Sequence, residues 1–233
     1  VQGDHLWAVY VGVCARGRYR VLWAGRRQNL SDLANDVKAP WLCSATGEHV
    51  RFARGFVDSG YRTAEVYEFP RLTGGLWQAV KGGHDEPVPI QPRNVARGQR
   101  SGRAMGGDLV NILAPLHFKD EVDRLLGSGN LLLPRDASEL YLRHLTSEVK
   151  KYTKTAAGMK LRWVPRYQGI ANHMLDATYY AIAAAWAMGM QNLSEFRPER
   201  ETEYIEVPQK PQGQAPYAIP AQQNTLGFKR MQW

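Results

Sequence analysis

The chain has 233 residues, 44% of them hydrophobic, which is enough for one sizeable core with room for a tail. Its formal net charge of +8 points to a polyanionic partner, most commonly nucleic acid. Two cysteines, Cys14 and Cys43, exclude a disulfide framework and a cysteine zinc site and point to a reducing compartment. The longest apolar stretch, residues 177–190, is too short and too rich in small residues to span a bilayer, so no membrane role is expected.

No signal-peptide pattern opens the chain, and the start Val1-Gln2-Gly3-Asp4 reads as part of something longer. Residues 6–13 and 18–24 alternate as two strands joined by a turn at Ala15-Arg16-Gly17. Ser31 is the expected cap of a short helix over 32–37, ended by Pro40. Residues 52–57 read as a third strand ending at Asp58, and residues 63–69 as a helix stopped by Pro70. A buried strand is expected over 76–80. The Gly-, Pro- and Arg-rich residues 83–107 then read as a loop, and residues 109–113 as another strand. An amphipathic helix over 117–126 ends at Gly127, and Leu131-Leu132-Leu133-Pro134 is a short strand. A second amphipathic helix is expected over 138–152, with Ser138 as its cap. A strand over 160–164 and a last helix over 172–190 follow. The pattern describes an α/β fold, with a mixed sheet flanked by helices. Residues 206–224, rich in Pro, Gln and Ala, read as extended or disordered, so the expected division is a domain over 1–192 and a tail over 193–233.

Two carboxylates stand out. Asp176 sits in the apolar, alanine-rich run Asn172-His173-Met174-Leu175-Asp176-Ala177-Thr178-Tyr179-Tyr180-Ala181-Ile182-Ala183-Ala184-Ala185, where burial is costly without a cation or a donor. Asn172 and His173 fall on roughly the same helical face, and His173 reads better as a packing or surface residue than as a ligand. Asp58 ends the run Gly55-Phe56-Val57-Asp58-Ser59-Gly60. Taken alone, an Asp before Ser-Gly more often shapes a turn. Together, a carboxylate at a strand end and one on a later helix are the oxygen donors that a two-metal nuclease needs around cations about 4 Å apart. Asp4 reads as a turn residue. Glu65 and Glu148 offer no sequence reason to join the site.

Arg93, Arg97, Arg100 and Arg103 make a cationic segment interleaved with Gly and Ser, suited to phosphate contact or simply to a solvated loop. Lys150, Lys151, Lys154, Lys160, Arg162 and Arg166 form a second basic stretch. Neither has the spacing of a base-reading motif, so contact is expected with the DNA backbone. The sequence has no Gly-x-x-x-x-Gly-Lys-Ser/Thr phosphate loop, no Gly-x-Ser-x-Gly elbow and no His-Glu-x-x-His helix, so those routes to ATP, ester and zinc chemistry are excluded.

Val57-Asp58-Ser59-Gly60, followed by Thr63, Val66-Tyr67 and Phe69, resembles a segment of the large terminase subunit of lambda-like tailed phages. Leu145-Thr146-Ser147-Glu148, Trp163, and Asn172-His173 with Leu175-Asp176, Tyr180-Ala181 and Ala183-Ala184 resemble the closing part of the same nuclease domain, and Val1-Gln2-Gly3-Asp4 with Leu6 its opening. The order and spacing hold over roughly residues 1–190. The resemblance implies an RNase H-like fold, Mg²⁺ or Mn²⁺ dependence, and cleavage of concatemeric viral double-stranded DNA during genome packaging. It maps Asp58 and Asp176 to metal-binding, catalytic positions, with Asp4 the weakest candidate for a metal ligand. It also implies an upstream ATPase motor domain, a small terminase subunit and the portal protein as partners, with the C-terminal end at the portal and the complex in the host cytoplasm. The family's first catalytic Asp lies in a strand just before a Val-Gln pair, and this sequence starts at that pair. The strand and its carboxylate are therefore either upstream of Val1 or absent from the domain. The alternatives are a non-catalytic DNA-gripping and portal-docking module, or another RNase H-like enzyme such as a junction resolvase or integrase.

Overall fold

The computed structural model describes residues 4–14, 17–38, 40–43, 49–83, 86–95, 108–155, 158–191 and 228–230. The alternating strands β1 (Leu6–Cys14) and β2 (Arg18–Arg27) pair antiparallel, with a bulge between Tyr10 and Val11. Leu6, Ala8 and Tyr10 go to one core cluster and Val9 to the other, as a period of two requires. Helix α1 (Leu30–Asp36) follows. Its cap is Asn29 rather than Ser31: the Asn29 side chain accepts from Asp32 N, and the Asp32 carboxylate accepts from Gln28 N, a reciprocal cap that starts the helix earlier.

Strands β3 (Trp41–Cys43) and β4 (His49–Val50) precede β5 (Gly55–Asp58), which begins later than expected and includes Asp58. Phe52 instead packs its ring against Trp77. Helix α2 (Thr63–Leu72) runs through Pro70. In the last turn a proline forgoes a single i→i−4 bond, which a helix about to end tolerates. Strand β6 (Trp77–Gly82) pairs parallel with β5. Part of the expected 83–107 loop is instead a strand, β7 (Ile90–Val95), antiparallel to β8 (Asp108–Leu113). Among the described residues the sheet order β5-β6-β8-β7 places Pro92 on an edge strand, where proline is tolerated.

Helix α3 (Pro115–Gly127) leads to β9 (Leu131–Leu132), which pairs parallel with β2. The helix expected over 138–152 is the largest correction. Helix α4 (Glu139–Leu145) is capped by Ser138 as expected but ends at Thr146, and Glu148–Thr155 is strand β10, paired with β11 (Gly158–Pro165). The run Val149, Tyr152, Thr153, Thr155 is β-branched and aromatic, and Gly158, at φ +110, takes a backbone conformation that other residues rarely adopt. Helix α5 (His173–Ala187) is the apolar, alanine-rich helix. Residues 206–224 lie outside the described residues, and Phe228–Arg230 forms β12, antiparallel to β3.

The result is a mixed α/β architecture, several sheets flanked by helices, compatible with an RNase H-like fold. Helices α1 and α2 contribute Leu33, Val66 and Phe69 to one core cluster, while α3, α4 and α5 fill the other with Phe118, Tyr141 and Ile182. Helix α5 packs on both β1 and β5, its alanines allowing a close approach. No helix among the described residues is long and apolar enough to cross a membrane.

Candidate active site

Asp58 stands at the C-terminal end of a parallel strand, where open α/β sheets commonly bind ligands. Its carboxylate accepts from Gly60 N at 3.2 Å, so the turn-shaping role is real. Ser59 anchors the turn by donating from both its N and its Oγ to Val80 O. Thr63 Oγ1 ties the following helix back to Ser59 O.

Asp176 lies in the first turn of α5, where the helix dipole favours a carboxylate. Its partner is a cation: Lys119 Nζ, from α3, is 3.1 Å from Asp176 Oδ1. The same ammonium lies 2.8 and 2.9 Å from the two oxygens of Glu148, at the start of β10. Asn172 Nδ2 donates to Glu148 Oε1 at 2.6 Å. The Glu148 and Lys119 side chains are only 5% and 10% exposed, whereas Asp176 retains 30%. Burial pushes the Asp176 carboxyl above the usual carboxylate range; Lys119 pulls it back in part, and the charges of Glu148 and Asp58 add to the rise.

Asp58 and Asp176, 118 positions apart in the chain, line one cavity of about 400 Å³. Tyr180 lines it too, and burial, then the charge of Asp58, hold its phenol well above the usual value. Two carboxylates therefore reach one cavity, and Lys119, the cation beside Asp176, is already shared with Glu148. That donor set of hard, anionic oxygens suits Mg²⁺ or Mn²⁺, but no group of three possible metal ligands occurs among the described residues.

This fold agrees with a family comparison. The model of the terminase large subunit gpA endonuclease domain matches residues 2–197, more than four-fifths of the chain. The chain belongs to that family. No curated protein and no solved structure gives a match. A gpA endonuclease domain has a nuclease role in DNA packaging, and the matched span includes Asp58, Glu148 and Asp176.

The other expected residues of this gpA domain are distributed differently. Asp4 is exposed, bonded to His5 Nδ1 at 2.5 Å, and does not line the cavity. Arg93 is ion-paired with Glu86 at 2.9 Å, and Arg97, Arg100 and Arg103 lie outside the described residues. Lys150 pairs with Asp120 at 2.6 Å, while Lys151 is exposed on the β10–β11 hairpin. His173 stacks on Trp7, meets His144 edge-on and lines the same cavity as Asp58 and Asp176. Glu65 is a surface residue paired with Arg62. Glu148 and Lys119 were not legible as site residues. The available signal was Lys119 itself, a lysine on the buried face of α3 with Phe118 and Val122.

Proposed function

We propose that this domain cuts concatemeric viral double-stranded DNA by metal-dependent phosphodiester hydrolysis, with Asp58 and Asp176 holding Mg²⁺ or Mn²⁺. The observation that carries the proposal is the convergence of these two carboxylates, from a strand end and a helix, on one cavity. Bound there, a pair of cations would supply an activated water and neutralise the leaving oxygen. The chain's own residues do the positioning. Lys119 holds Asp176 at 3.1 Å, Glu148 holds Lys119 and is itself held by Asn172, and Gly60 N orients Asp58.

The cavity is also flanked by two strands with an unpaired edge among the described residues. Among the described residues, β1 has only β2 as a strand neighbour and β5 has only β6. Both strands line the cavity, with α5 on one side and Leu33, Trp41 and Phe52 also in the lining. Neighbouring strands lie about 4.8 Å apart. A further strand laid between them would join the two sheets into one. The ATPase motor, the small subunit, the portal and a site of action at the procapsid in the host cytoplasm belong to the same proposal.

The second reading, a non-catalytic DNA-gripping and portal-docking module, is favoured by one observation: no third metal ligand joins the two carboxylates among the described residues. Plasmid cleavage with Mn²⁺ separates the two. We expect cutting by the chain, or by a version extended upstream by one strand, and its loss in Asp58→Ala and Asp176→Ala with the fold retained. DNA binding without cutting by either native version would refute the enzyme.

A further inference from the structure

The β10–β11 hairpin pairs with no other strand among the described residues. A two-stranded hairpin is marginally stable by itself, and this one is fastened at its base. Trp163 Nε1 and Lys150 Nζ both reach the Asp120 carboxylate, and Arg166 donates to Ser147 O and Thr146 O. Beyond that base the side chains divide by register. Lys150↔Trp163, Tyr152↔Leu161 and Lys154↔Met159 share one face. Val149↔Val164, Lys151↔Arg162 and Thr153↔Lys160 share the other, which is cationic and contains no acidic residue.

Lys151 and Arg162 stand directly opposite each other, a like-charge cross-strand pair that weakens a sheet. Folding gains nothing from that arrangement, but a polyanion laid across it does. The hairpin also starts at Glu148, within the Asp176–Lys119–Glu148 cluster. Carboxylates at a cutting site repel phosphate, so a substrate must be held by cations nearby.

We infer that the cationic face of the β10–β11 hairpin is a duplex-DNA backbone arm, with Lys151 and Arg162 as its phosphate contacts and Lys160 beside them. The inference rests on the DNA-cutting reading and adds the surface that holds the substrate next to the site. Same-face residues repeat every ~6.8 Å along a strand. Contacts of this kind to phosphate position a duplex without reading its sequence.

The test is the salt dependence of binding to a fluorescent duplex of arbitrary sequence, measured by anisotropy in EDTA on the full chain. Each phosphate contact contributes about 0.9 to the slope of log affinity against log salt. Lys151→Ala with Arg162→Ala should lower that slope by about 1.8, so doubling the salt weakens the native chain about 3.5-fold more than the variant. Melting temperature should hold or rise, because the variant removes a repulsion. Lys151→Arg should keep the native slope, and Lys151→Thr alone should lose about half the effect. An unchanged slope overturns the inference, and lost affinity for polyglutamate alongside it would identify an acidic protein as the partner instead. Because EDTA removes the cutting, a lowered slope together with failure of the plasmid assay keeps the arm and refutes the nuclease.

Discussion

Replacing Lys119 by methionine probes the charge cluster most directly. The Lys119 side chain is 10% exposed and its ammonium bridges Glu148, 5% exposed, to Asp176. Removing one partner of a buried ion pair typically costs about 3–5 kcal/mol, because the remaining charge is left in a poor solvent. Here the lower end applies, since Asn172 still donates to Glu148 and the Asp176 carboxylate opens onto the cavity. A loss of about 3 kcal/mol in a chain of this size lowers the melting temperature by about 6–12 °C, at about 2–4 °C per kcal/mol. The sign of the pH dependence follows from Asp176. Its folded pKa is already raised by burial, and Lys119 is the main force opposing that rise. Without Lys119 the folded pKa climbs further, so stability is retained below the unfolded value of about 3.9 and lost as pH rises through the folded value. The deficit of Lys119→Met should therefore be largest near neutrality and shrink on acidification. Urea unfolding followed by tryptophan fluorescence at several pH values reads both quantities. Adding Glu148→Leu should recover part of the loss. A deficit under about 1 kcal/mol, the range of exposed pairs, or one that does not change with pH, would refute a buried cluster.

Gly55→Ala should destabilise by about 1–3 kcal/mol, because an added Cβ would lie 2.3 Å from the Trp77 ring and 2.7 Å from the Phe52 ring, so both rings must shift out of their mutual packing; an unchanged urea midpoint would refute that packing. Burial holds His144 and His173 below the usual histidine value. The stability tied to their neutral forms is therefore present above about pH 6.5 and lost as pH falls through the lowered folded values, which a melting series across that range detects. In that series His144→Asn should flatten the acid limb, and an unchanged slope would show that His144 does not titrate on unfolding.

The sequence by itself determined what depends on near neighbours. Alternation marked β1 and β2, the Ser138 cap marked the start of α4, and a lone carboxylate in an alanine-rich helix marked Asp176 as needing a cation. Asp58 was legible because a strand running into Ser-Gly has a recognisable end. Tertiary structure decided the rest. Whether Pro92 stands in a loop or on a strand depends on β8 being there to pair with. Whether residues 148–155 continue a helix or form a hairpin depends on β11, which the charged, mixed pattern of that stretch does not reveal. Lys119 is the clearest case: its partners lie 29 and 57 positions away, on a strand and on another helix, and no local spacing encodes a charge pair that exists only once three elements pack. The cavity between β1 and β5 has the same origin, since it is set by how α5 rests on two strands that belong to different sheets.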